Sequence, residues 1–184
     1  MARGLQGAFR LARGDADGLA LIEASPEGAL RSFWAAVLCL PGFMALRLIA
    51  WSAAAGPDGG VARALTAELI GYVCAWTGFA LASLLVAEAM GRQARWPHFI
   101  AAWNYTNVVQ YLVLLLMTVP VALGATGAVP NALALAGLGY ALWLEWFVAR
   151  LALGVGGGRA AGVVVLDLML GLFIGGLVAR MGGL

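Results

Sequence analysis

Lysine is absent from this chain, histidine occurs once, as His98, and cysteine twice, as Cys39 and Cys74. Each scarcity removes a class of chemistry. Without a Lys-Ser/Thr step, the glycine-rich stretch 154–158 is a flexible connector and not a phosphate-cradling loop. A single histidine excludes a bis-histidine haem. Beside Trp96 and Trp103 it reads as an interfacial anchor, with an axial contact to one pigment or haem as the other reading. Both cysteines fall inside apolar stretches, where a thiol acts as a small buried hydrophobe, so no disulfide, redox centre or metal site is expected. No Ser/His/Asp or Cys/His set is present. The expectation is therefore a non-enzyme that carries no cofactor but holds bound lipid.

Charge is scarce throughout. Charged residues make up 11% of the chain, against about a quarter in soluble domains. A net charge of +2 is too small for a nucleic-acid partner. In place of charge stand 63% hydrophobic residues and a mean hydropathy of +0.93, which predict an all-α polytopic membrane bundle. Arginine as the sole base, in a chain rich in Ala and Gly, suits a GC-rich bacterial genome and hence the inner membrane. No apolar run long enough for a secretory leader precedes Ser32, so a retained amino terminus is expected.

Turn signals divide the apolar sequence into five spans of the length a bilayer requires, at about 31–54, 66–90, 97–120, 130–153 and 159–181. A cytoplasmic segment, residues 1–30, precedes them. Within it, residues 3–19 place Leu5, Ala8, Phe9, Ala12, Ala16 and Leu19 on one helical face and Arg3, Gln6, Arg10, Arg13 and Asp17 on the other. That pattern predicts an amphipathic helix lying on the membrane surface, against a solvated tail favoured by Gly14 and Gly18. Ser25-Pro26-Glu27 is a helix start, and Pro41 predicts a kink in the first span. Gly71, Ala75, Gly78 and Ala82 form a small-residue stripe on the second span, and Gly171 and Gly175 one on the fifth, both suited to close helix packing.

Orientation follows from the arginines. With the amino terminus inside, Arg3, Arg10, Arg13, Arg31, Arg92, Arg95, Arg150 and Arg159 gather in the cytoplasm, and only Arg63 and Arg180 fall outside. The predicted topology is N-in, C-out.

Polar groups within the spans are the candidate functional residues, because hydrocarbon penalises each of them. At about 1.5 Å rise per residue, Asn104, Asn107, Glu145 and Asp167 lie in one layer about 10 to 15 Å from the cytoplasmic end. They predict a buried polar cluster, read either as a proton or cation relay, as a polar ligand pocket, or as glue fixing helix register. Arg150 is near enough in sequence to pair loosely with Glu145 or to snorkel inward. Arg47 and Glu68 form a second candidate pair near the outer interface, and Glu88 with Arg92 a third at the inner rim.

The layout resembles the bacterial branch of the Ypt-interacting-protein (Yip) family. A cytoplasmic amino-terminal segment leads into five closely spaced spans, and the Gly91-Arg92 connection leads into a polar, aromatic third span. The resemblance implies a compact five-helix membrane fold. The acidic and Tyr-Gly-Pro motif of eukaryotic members is absent, so it implies no GTPase partner. The sequence points first to an accessory, scaffold or assembly subunit, with membrane lipids and other integral subunits or further copies of itself as partners. The alternative is a small proton- or cation-coupled transporter using Asp167 and Glu145.

Overall fold

The computed structural model describes residues 1–53 and 56–183. The expected end of the first span at Ala54 and the final residue, Leu184, fall outside the described residues. The chain is all-α, with no strand among the described residues. Its helices are α1 (Ala2–Leu11), α2 (Pro26–Ser32), α3 (Trp34–Ala53), α4 (Val61–Ala89), α5 (Trp96–Ala122), α6 (Ala128–Leu153) and α7 (Gly157–Gly182), with short 3-10 helices at Ala16–Leu21 and Gln93–Arg95. Five helical stretches are long and apolar enough to cross a membrane: Pro26–Ser52, which joins α2 and most of α3, and then α4, the stretch Gln93–Ala122 that contains α5, α6 and α7.

Local chemistry explains where these helices begin and break. Ser25 caps α2 by accepting the Gly28 N–H at 3.0 Å, and Pro26 occupies the first helical position, where its missing N–H costs nothing. The first span is interrupted at Phe33, whereas helical backbone continues through Pro41. Ser32 donates its hydroxyl to the Ala29 carbonyl at 2.6 Å, and back-bonding of this kind bends helices. Phe33 N–H then bonds Leu30 and Ala36 N–H bonds Phe33, three residues back in each case, the tighter 3-10 pattern.

Around the bundle the helices touch in the order α3, α5, α6, α7, α4. The ring closes where the Tyr72 hydroxyl of α4 donates to the Ala36 carbonyl of α3 at 2.6 Å. Lipid is as apolar as these side chains, so cohesion comes from close packing and interhelical hydrogen bonds more than from water exclusion. The α4–α7 contact illustrates it: Gly71 is buried with Val178 directly over its Cα, and Gly78 faces Leu170. The stripe on α7 is different. A Cβ on Gly171 or Gly175 would meet nothing within 4 Å, so α7 packs through Ile174 and Val178 and leaves its own small residues open. Between α4 and α5 the interior is aromatic, with Phe79 stacked on Trp103 at 4.4 Å and Trp76 edge-on to Trp103 at 5.2 Å.

The amino-terminal segment departs from the expected surface helix. α1 stops at Leu11, Gly14 turns the chain at φ +80, and the 3-10 helix folds back so that Gly7 and Gly18 meet backbone to backbone. The face that is buried carries Gly4, Ala8 and Leu11, and it packs on α5 and α6, while Phe9 remains 43% exposed. Gly4 sits on the Tyr105 ring, the Tyr140 hydroxyl donates to the Ala12 carbonyl at 2.8 Å, and a His98 ring nitrogen lies 3.1 Å from the Leu19 carbonyl. Two glycines that weaken a long helix are thus the ones that allow the reversal.

At the opposite end, the Asp58 N–H donates to the Gly183 carbonyl at 3.0 Å and Arg63 Nε to the Met181 carbonyl at 2.6 Å. These bonds satisfy carbonyls that the end of α7 leaves without helical partners.

Candidate functional site

The four groups expected in one polar layer divide into separate sites. Asn104 is fully buried and donates its amide to Ser32 Oγ at 2.7 Å, tying α5 to α2. Asn107 turns back on its own helix and donates to the Trp103 carbonyl at 2.9 Å. Neither is bonded to a carboxyl group. A constant rise per residue carries no information about azimuth. α2 lies against the Asn104 face of α5, whereas α6 packs about 120° around the helix, where Gln110 stands.

Glu145 of α6 and Asp167 of α7 do come together. Both carboxyl groups line one cleft between the two helices. Glu145 is 5% exposed, and its Oε1 is buried with no hydrogen-bond partner among the described residues. The pair lies in a cleft of about 290 Å³ with Gln110, Ala141, Leu168 and Gly171 among its walls. Gln110 donates its amide to the Ala141 carbonyl at 3.1 Å, one helical turn before Glu145, and so links α5 to the rim of the site. Gln110 is visible in sequence as an amide of the third span, but the expected cluster named only Asn104 and Asn107 from that helix. Its signal was a third amide on α5, three residues beyond Asn107.

Gly171 stands one turn after Asp167 on the same face of α7 and supplies open space beside the carboxyl, not the helix contact its spacing suggested. Arg150 takes no part: it is exposed, and its guanidinium lies over the Trp146 ring at 5.4 Å from the centroid. Trp146 in turn donates to the Gly157 carbonyl at 3.0 Å. Stacking of this kind holds an arginine at the rim of a bundle without neutralising an acid below it.

Arg47 and Glu68 meet as the second polar centre, with Arg47 Nε 3.1 Å from Glu68 Oε2. Glu68 is 3% exposed, and the Arg47 guanidinium also lies over the Phe43 ring at 5.3 Å. No ion pair joins Glu88 to Arg92 among the described residues, and Glu88 is exposed. Their four-residue spacing on a helix is broken because α4 ends at Ala89 and Gly91 follows in a left-handed conformation. No group of three or more potential metal ligands clusters among the described residues.

The fold and this site define a class: a helical membrane protein of five candidate spans, with a buried carboxyl pair between its last two helices. No protein-family model, curated protein or solved structure matches the chain.

Proposed function

We propose that this chain is a small proton- or cation-coupled membrane transporter in which Glu145 and Asp167 bind and release the ion. The observation that carries the reading is the Glu145 carboxyl, buried in one cleft with a second carboxyl and with one oxygen unpartnered among the described residues. A register-fixing role would be served by donors from Asn104 and Asn107, and both spend their amides elsewhere. Two carboxyls that share one low-dielectric cleft exchange a proton, or a small cation in its place, because two neighbouring negative charges repel strongly. Intramembrane carboxylates are the groups proton relays use.

The test is reconstitution in vesicles with an entrapped pH dye. Wild type should show an ion flux that depends on pH, and Glu145→Gln or Asp167→Asn should abolish it while helix content and a monodisperse elution profile are retained. Unchanged flux in both variants sinks the proposal.

The amino terminus is assigned to the cytoplasm of a bacterial cell and the carboxyl terminus to the periplasm. Support comes from the gathering at one end of the bundle of the amino-terminal segment and the α4–α5 and α6–α7 connections, which carry most of the arginines: Arg95 reaches Gly154, and His98 reaches Leu19. A second reading is an accessory or assembly subunit, related in layout to the Yip-like proteins. It is favoured by the outer face of α7, where Val165, Met169, Leu172 and Phe173 are 52 to 66% exposed beside the open Gly176.

A further inference from the structure

A second and larger chamber, about 460 Å³, lies between α3, α4 and α7. It runs along α7 from Gly171 to Ala179, which is about 12 Å at 1.5 Å per residue. Gly56 of the α3–α4 connection lies at one end, where it meets the Arg47–Glu68 pair, and Tyr111 of α5 forms part of its wall. Gly171 lines both this chamber and the carboxyl cleft.

We infer that the chamber is the second half of the ion's route: from the Glu145–Asp167 pair past Gly171 and Tyr111 to Glu68 and Arg47, opening at the α3–α4 connection. The inference rests on the transport reading above and gives it an exit that the sequence did not show.

Three observations carry it. First, Gly171 lines both spaces and a Cβ there would meet nothing within 4 Å, so no packed side chain covers α7 at the residue the two spaces share. Second, Tyr111 of α5 lines the chamber together with Gly171, Arg47 and Glu68, which puts a hydroxyl-bearing side chain in the wall of the route. A hydroxyl hands a proton on by donating one while accepting another, so no net charge accumulates on it. Third, the competing path between α4 and α5 is filled by Trp76, Phe79 and Trp103, stacked ring on ring. The chamber, in contrast, has room for several waters at about 30 Å³ each, with charged partners at one end.

The experiment has two arms in the full-length protein. In the flux assay, Gly171→Ile fills the gap and should lower flux at least tenfold, and Tyr111→Phe or Glu68→Gln should lower it as well. In the second arm, Asp167→Cys in a Cys74→Ser background is treated with a membrane-impermeant methanethiosulfonate reagent applied from the α3–α4 side. Labelling should occur, and adding Gly171→Ile should slow it at least tenfold. Because the Cβ of residue 171 enters open space, folding should survive, and Gly171→Ala serves as the milder variant. If Glu145→Gln abolishes flux but Gly171→Ile and Tyr111→Phe leave it within twofold, the route is wrong and the transport reading stands. If flux ignores Glu145 and Asp167 altogether, the transport reading has failed. The labelling arm then judges the route by itself, and labelling indifferent to Gly171→Ile overturns it.

Discussion

Two glycines on facing helices show how much a single Cβ decides in this bundle. Gly71 of α4 is buried with Val178 directly over it, so a methyl group there must push α4 and α7 apart. Gly71→Ala should lower unfolding stability in detergent by about 1 to 3 kcal/mol, the usual cost of overpacking. Gly175 of α7 has nothing within 4 Å. Gly175→Ala should be neutral or stabilising by about 0.5 to 1 kcal/mol, since alanine is the better helix former and restricts the unfolded chain. Denaturation followed by tryptophan fluorescence distinguishes the two, and equal effects would mean that the α4–α7 contact is not as described. Both glycines occupy small-residue patterns that look alike in sequence. Spacing reports that a smooth surface exists, and only the neighbour tells whether it is used.

At the scale of the element, the folded-back shape of the amino-terminal segment and its junction with α2 are held partly by charge. Arg10 donates to Asp15 Oδ2 at 2.6 Å, and that bond, with the Asp17 N–H at 2.9 Å, holds the Asp15 carboxyl below its usual 3.8. The Ser25 hydroxyl, and after it Arg31 at 2.6 Å, hold Glu23 below its usual 4.5. Carboxyls lowered in the folded state favour folding above their ordinary values, and that contribution is lost as pH falls through the lowered ones. Between neutrality and about pH 5 the segment should therefore be unchanged. Below about pH 4 the amides of α1 and the following 3-10 helix should exchange hydrogen faster, while those of α5 should not. The effect is small because exposed pairs contribute little. Protection of α1 that is flat down to pH 2.5 would show that apolar docking alone holds it. The reversal at Gly14 was half legible in sequence, as a weakness of the long helix. That the buried face would be Gly4, Ala8 and Leu11 was not, because a surface helix and a docked one share the same periodicity.

For the whole molecule, what the outer face of α7 meets separates the two readings. The subunit reading requires a partner there. Purified in mild detergent from its native membrane, the chain should then elute with a second integral protein or as a defined oligomer, and Phe173→Ala with Leu172→Ala should release it. A lone monomer that still conducts ions would remove the subunit reading and leave transport.

What the sequence determined by itself is what one dimension can carry. Hydropathy over twenty residues marks five spans, Ser25 and Pro26 mark a helix start, and a constant rise per residue sets the depth of Glu145, Asp167, Arg47 and Glu68. These depend on local composition and on distance along an axis. Azimuth and adjacency belong to the tertiary structure, because a helix can be turned about its axis without changing any of those signals. That rotation sends Asn104 to Ser32 and Asn107 to its own backbone, leaves Glu145 facing Asp167, and brings Gly171 to the boundary between two clefts.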